Sequence, residues 1–132
     1  MPKIAILDDN EDFCFVIQAF LKNYWEITTF TEISSFLESL NHQSYDLVII
    51  DFSLTLDAEI DVKNGCDLIE ILKKQLNPPP SFILITGWLG INDLDEGQKI
   101  CAAADAFLSK NSDLSEILKS INILLSGKSV KN

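Results

Sequence analysis

The chain has 132 residues, the length of a single domain built on one core. Ten Lys plus Arg against twenty Asp plus Glu leave a formal charge of −10, which argues against nucleic-acid binding and against docking on anionic lipid, since both need a basic face. At 47% hydrophobic and 23% charged residues the composition favours a buried core over a disordered chain.

Cys14, Cys66 and Cys101 are an odd number, widely spaced and without a C-x-x-C. They argue against a disulfide scaffold or a zinc site and predict buried, reduced thiols. Asp8 and Asp9 come too early for a secretory signal, and no apolar run approaches the roughly 20 residues that span a bilayer. The expectation is a soluble, cytoplasmic protein without a membrane partner.

In chain order, Ile4 to Leu7 is a short apolar run that stops at Asp8 and Asp9. Residues 11–22 then place Phe13, Val16, Ile17, Phe20 and Leu21 at helical spacing. Glu26 to Phe30, rich in β-branched and aromatic residues, predicts a strand. Thr31 is placed to cap a helix carrying Ile33, Phe36, Leu37 and Leu40. Leu47 to Ile50 is a second apolar run, ending in Asp51. Residues 52–63 predict a loop made acidic by Asp57, Glu59 and Asp61, followed by a helix from about Asn64 to Gln75 that Pro78, Pro79 and Pro80 cannot continue. Phe82 to Ile85 is a third apolar run, closed by Thr86 and Gly87. Ile91 to Ala104 has a thin helical stripe interrupted by Gly97. Ala106 to Leu108 predicts a last strand before Ser109 and Lys110. Ser112 is placed to cap an amphipathic helix with Leu114, Ile117, Leu118, Ile121, Leu124 and Leu125, stopped at Gly127.

Five βα units with strands apolar on both faces imply an α/β doubly wound (βα)5 three-layer sandwich with a parallel sheet. Residues 1–126 form the domain and 127–132 a tail. Ligands bind such sheets beyond the carboxyl ends of the strands. With strand order 2-1-3-4-5, Asp8, Asp9, Asp51, Thr86, Gly87 and Lys110 all converge on one shallow cleft. Clustered carboxylates repel one another unless protonated or neutralised. Oxygen-only donors with no His or Cys beside them suit octahedral Mg²⁺. Asp51 then keeps an oxygen free as nucleophile. Lys110 and the Thr86 hydroxyl are suited to a phosphoryl group's oxygens, and Gly87 leaves it room.

With these residues in that order, the chain resembles the receiver domain of bacterial two-component response regulators (the CheY-like, flavodoxin-like fold) over nearly its whole length. The resemblance implies that Asp51 is a phosphoacceptor served by a sensor histidine kinase or a histidine phosphotransfer protein. It implies Mg²⁺ held by Asp9 directly, Asp8 through water, Asp51 and the Ser53 backbone carbonyl. Lys110 would pair with the phosphoryl group. Thr86 would move to bond it and draw in Phe107, the family's switch aromatic. That would change the face formed by the fourth helix, fifth strand and fifth helix, where a downstream protein docks. Such a domain is a signalling unit rather than an enzyme.

Two departures from the family stand out. Asp51 to Gly65 spans fourteen residues without a proline, and Asn111 follows Lys110 where the family has a cis-bonded proline. Trp88 is bulky enough to shield a phosphoryl group from water, which predicts a long-lived phosphorylated form. The plainer readings are an N-cap for Asp8 and Asp9, a core position for Phe107, a solvated face for residues 57–61, and no functional role for His42 or the cysteines. A haloacid-dehalogenase-like phosphohydrolase lacks its second acid in the run from Asp51 to Thr55, and a flavin module lacks its phosphate loop. A degenerate receiver that binds partners without phosphorylation stays open as the alternative.

Overall fold

Apolar runs in this sequence become strands, and the amphipathic stretches between them become helices. The computed structural model describes residues 1–54, 62–87 and 100–130. In chain order these form β1 (Lys3–Leu7), α1 (Glu11–Leu21), β2 (Glu26–Phe30), α2 (Ile33–Ser39), β3 (Leu47–Asp51), α3 (Gly65–Gln75), β4 (Ser81–Thr86), β5 (Ala106–Ser109) and α4 (Leu114–Val130). All strands pair in parallel in the order β2-β1-β3-β4-β5, as anticipated. The anticipated helix over 91–104 lies mostly outside the described residues. Of its described residues, 100–104, Ile100 is helical and a turn follows.

Alternation along the strands builds two cores. Ala5, Leu7, Val48, Ile50, Phe82 and Leu84 face one side, against Phe36 of α2 and Leu68, Ile69 and Leu72 of α3. Ile4, Ile6, Leu47, Ile49, Ile83 and Ile85 face the other, against Ile17 and Leu21 of α1 and Ile117 and Ile121 of α4. Strands apolar on both faces are what two covered sheet surfaces require.

Helix boundaries follow the expected pattern, but several caps do not. Asn10, not Asp8 or Asp9, caps α1, its side chain accepting from the Phe13 N–H. Asn64 caps α3 by accepting from the Asp67 N–H. Thr31 does not cap α2; the N-cap residue is Glu32, with no side-chain hydrogen bond. At α4 the Asp113 carboxylate accepts from the Glu116 N–H at 2.9 Å, because the Ser112 hydroxyl is already accepting from the Ser109 N–H. Gly127 does not stop α4, which runs on to Val130. A glycine inside a helix costs only about 1 kcal/mol, and Gly127 does not take the positive φ of a C-terminal glycine cap.

The cysteine expectation is corrected as well. Cys66, at the start of α3, and Cys101, before β5, are joined in a disulfide with Cα atoms 5.6 Å apart. Both residues pack in the core on the same sheet face, a proximity that the spacing along the chain conceals. Cys14 alone is a free, buried thiol. Among the described residues no helix is long and apolar enough to cross a membrane.

Candidate functional site

Because β1 and β3 are neighbours in register, with Leu7 opposite Ile50, the acids that end them emerge side by side. Asp8 is fully buried, Asp51 is 3% exposed and Asp9 is exposed. One carboxylate oxygen from each lies within 4.8 Å of the others. The turn leaving β5 supplies the counter-charge. Lys110 Nζ is 2.8 Å from Asp8 Oδ2 and 3.6 Å from Asp51 Oδ2. Its backbone N–H donates to the Thr86 carbonyl at 2.9 Å, which ties the end of β4 to the same rim. Thr86 is buried, and beside it Gly87 has open space where a side chain would stand.

Phe107 pairs with Leu84 in register and lies half-buried against the α2–α3 core. Ser53 reaches the site through its backbone, its N–H donating to Asp51 Oδ1 at 3.3 Å. Trp88 and the acidic residues Asp57, Glu59 and Asp61 lie outside the described residues. The base of that long loop is tied next to the site, since the Gly65 N–H donates to the Phe52 carbonyl at 3.0 Å. The fourteen-residue spacing therefore leaves the strand end and α3 in direct contact.

One ammonium faces three carboxylates. Burial, then the charge of Asp8, raises the Asp51 pKa, against the opposing pull of Lys110 and the Ser53 N–H. For Lys110 burial works to lower the pKa, but the hydrogen bond and charge of Asp8, followed by Asp51 and Asp9, outweigh it and raise the value. Asp8 Oδ1 accepts from the Asn10 N–H at 2.9 Å. Its Oδ2, wholly buried, meets the Lys110 ammonium at 2.8 Å and has no further partner among the described residues. The Cys14 thiol bonds the Asp8 carbonyl at 3.3 Å, and burial together with the Asp8 charge pushes it up to about 11. A buried carboxylate oxygen short of partners, within an oxygen-only donor set carrying excess negative charge, fits a hard divalent cation such as Mg²⁺.

Five residues contribute to the site in ways the sequence reading missed. Asn10 stands between Asp8 and α1, holding both. Its spacing to Phe13 was a legible capping signal. Gly65 packs against the Asp51 backbone so closely that a Cβ would overlap the Asp51 carbonyl oxygen and crowd Ile50 Cγ2. Ser109 and Ser112 shape the turn that carries Lys110, where the Lys110–Asn111 peptide is trans. The Phe13 ring centroid is 5.0 Å from Lys110 Nζ, a contact between opposite ends of the chain that no local pattern announces.

Comparison with solved structures finds the same fold repeatedly. A CheY-like response regulator receiver domain protein from Methanospirillum hungatei JF-1 superposes with a TM-score of 0.81 at 20% identity, over 100% of this chain and 99% of that one. The receiver domain of the Francisella response regulator 1452 gives 0.77 at 23% identity, over 97% and 99%. The BeF3-activated receiver domain of Klebsiella pneumoniae RstA gives 0.75 at 20% identity, over 93% and 97%. No curated protein matches the sequence. The family model for the response regulator receiver domain matches residues 4–122, nearly the whole sheet and its helices, and the chain therefore belongs to the response regulator receiver domain family.

Proposed function

We propose that this receiver domain is a cytoplasmic phosphoacceptor switch in which Asp51 takes a phosphoryl group from a phosphohistidine on a sensor histidine kinase or histidine phosphotransfer protein. The observation that carries this reading is the meeting of Asp51 with Asp8, Asp9 and Lys110 at the carboxyl ends of β1, β3 and β5. In the transfer, an Asp51 carboxylate oxygen forms a bond to phosphorus as the donor's P–N bond breaks. The imidazole leaves with the electron pair and takes up a proton, and an acyl phosphate remains on Asp51.

Asp8, Asp9, Asp51 and the Ser53 carbonyl are the residues to hold Mg²⁺, which supplies charge neutralisation for the phosphoryl oxygens when bound. Lys110, 3.6 Å from Asp51 Oδ2, would give a second positive charge beside the phosphoryl group. Gly87 leaves space, and the Thr86 hydroxyl has the chemistry to bond a phosphoryl oxygen. A shift of Thr86 would draw on Phe107, whose half-buried position in β5 suits an aromatic ring with a more buried alternative. The face around β5 and α4 is where a downstream protein would read the change, and Trp88 is proposed to shield the phosphoryl group from water. Residues 1–126 are proposed as the working unit, with the last turn of α4 continuing beyond it to Val130. The convergence of Asp8, Asp9, Asp51 and Lys110 supports phosphorylation over a phosphorylation-independent binding module.

Incubation with acetyl phosphate and Mg²⁺, followed by intact-mass measurement, tests the reading. The expected result is a gain of one phosphoryl group, stable in acid and lost in base. It should be absent with EDTA and absent in Asp51→Asn. A folded wild-type protein that stays unmodified in Mg²⁺ contradicts it.

A further inference from the structure

Lys110 has four rotatable methylenes and a strongly hydrated head, so proximity alone does not fix where its ammonium sits. In most of the family the residue after this lysine is a cis-bonded proline. Here it is Asn111, joined by a trans peptide, and the turn is closed by side chains instead. The Ser109 N–H donates to Ser112 Oγ at 3.2 Å and the Asn111 N–H donates to Ser109 Oγ at 3.0 Å. These bonds fix the backbone of the turn and leave the ammonium unaddressed.

The ammonium is held from α1. Asp8 Oδ1 accepts from the Asn10 N–H, and Asn10 Oδ1 accepts from the Phe13 N–H at 3.0 Å, so the first turn of α1 is registered on the buried acid. Phe13 is half-buried against the α1–α4 core and presents its ring to Lys110 Nζ at 5.0 Å. Asp8 Oδ2 approaches the same ammonium at 2.8 Å. The chain of contacts Asp8–Asn10–Phe13–Lys110–Asp8 is thus closed. A ring face attracts a cation without offering an acceptor whose hydrogen bond must later be broken. It can hold the ammonium at the rim of the site while Asp8 is exchanged for another anion.

We infer that Phe13 is a positioning residue for phosphoryl transfer, its ring holding the Lys110 ammonium beside Asp51. This inference rests on the reading of Asp51 as the phosphoacceptor. Phe13 reaches the site through its ring contact with Lys110, and its effect is carried by that ammonium.

The test compares wild type, Phe13→Leu and Phe13→Tyr for the rate of phosphorylation by acetyl phosphate at saturating Mg²⁺. Mg²⁺ affinity is measured by calorimetry, and the Lys110 ε-methylene protons are followed by NMR. Leucine keeps apolar bulk and removes the ring face; tyrosine keeps the ring. The expected result for Phe13→Leu is a rate lower by about three- to fivefold, unchanged Mg²⁺ affinity, and loss of the ring-current shift at Lys110. Phe13→Tyr should behave as wild type. A wild-type rate in Phe13→Leu, an equal slowing in both variants, or an unmoved Lys110 signal overturns the inference. Absence of phosphorylation in the wild type itself instead removes the phosphoacceptor reading, and this inference with it.

Discussion

At the scale of single residues the site is governed by charge taken out of water. Asp51 is buried beside Asp8, and its pKa is raised above the ordinary 3.8. The folded protein therefore holds that proton more tightly than the unfolded chain does. Below the ordinary value both states are protonated and the group costs nothing; as the pH rises through the raised folded value, ionisation removes stability. In EDTA at neutral pH, Asp51→Asn should melt at a higher temperature than wild type, and the gap should close as the pH falls below the ordinary carboxylate value. Calorimetric melting across that range checks this; a gap that widens on acidification contradicts it. The acids themselves were legible because each interrupts an apolar run. Their electrostatic partners were legible only in part. Lys110 announced itself by following β5, whereas Phe13 looked like one more residue of a helix stripe. Its contact depends on how α1 sits over the sheet, which the period of a helix does not encode.

Among the elements, periodicity located the strands and most of the helices, because burial on both sheet faces demands unbroken apolar runs. Caps were less legible. Ser and Thr hydroxyls have several backbone groups within reach, and the tertiary structure decides which one they serve. Ser112 illustrates this: it reads as the cap of the last helix, yet its hydroxyl serves Ser109 N–H inside the Lys110 turn while Asp113 caps α4. Removal of the two side chains should therefore have different consequences. Asp113→Ala should lower stability in urea unfolding, as loss of an N-cap does, with little change in phosphorylation rate. Ser112→Ala should lower the phosphorylation rate, since it loosens the turn that carries Lys110. Equal effects of the two on both measurements would place Ser112 in the helix cap after all. The disulfide was hidden for a related reason: Cys66 and Cys101 belong to different βα units, and only the packing of both units on one sheet face brings them together.

For the whole molecule, the parallel order β2-β1-β3-β4-β5 is what converts scattered strand-end residues into a single acidic cup. Neither a negatively charged chain nor any one aspartate specifies that cup; the register of β1 against β3 and of β4 against β5 does. In the proposed switch this convergence makes Asp51, among three neighbouring carboxylates, the one that receives a phosphoryl group. Borohydride reduction of the acetyl phosphate-treated protein tests it most directly, because hydride converts an aspartyl phosphate, and not a free carboxylate, to homoserine. Peptide mapping by mass spectrometry then reads the position. Homoserine at residue 51 alone, dependent on Mg²⁺, is the predicted result; homoserine at residue 8 or 9, or at none, contradicts it.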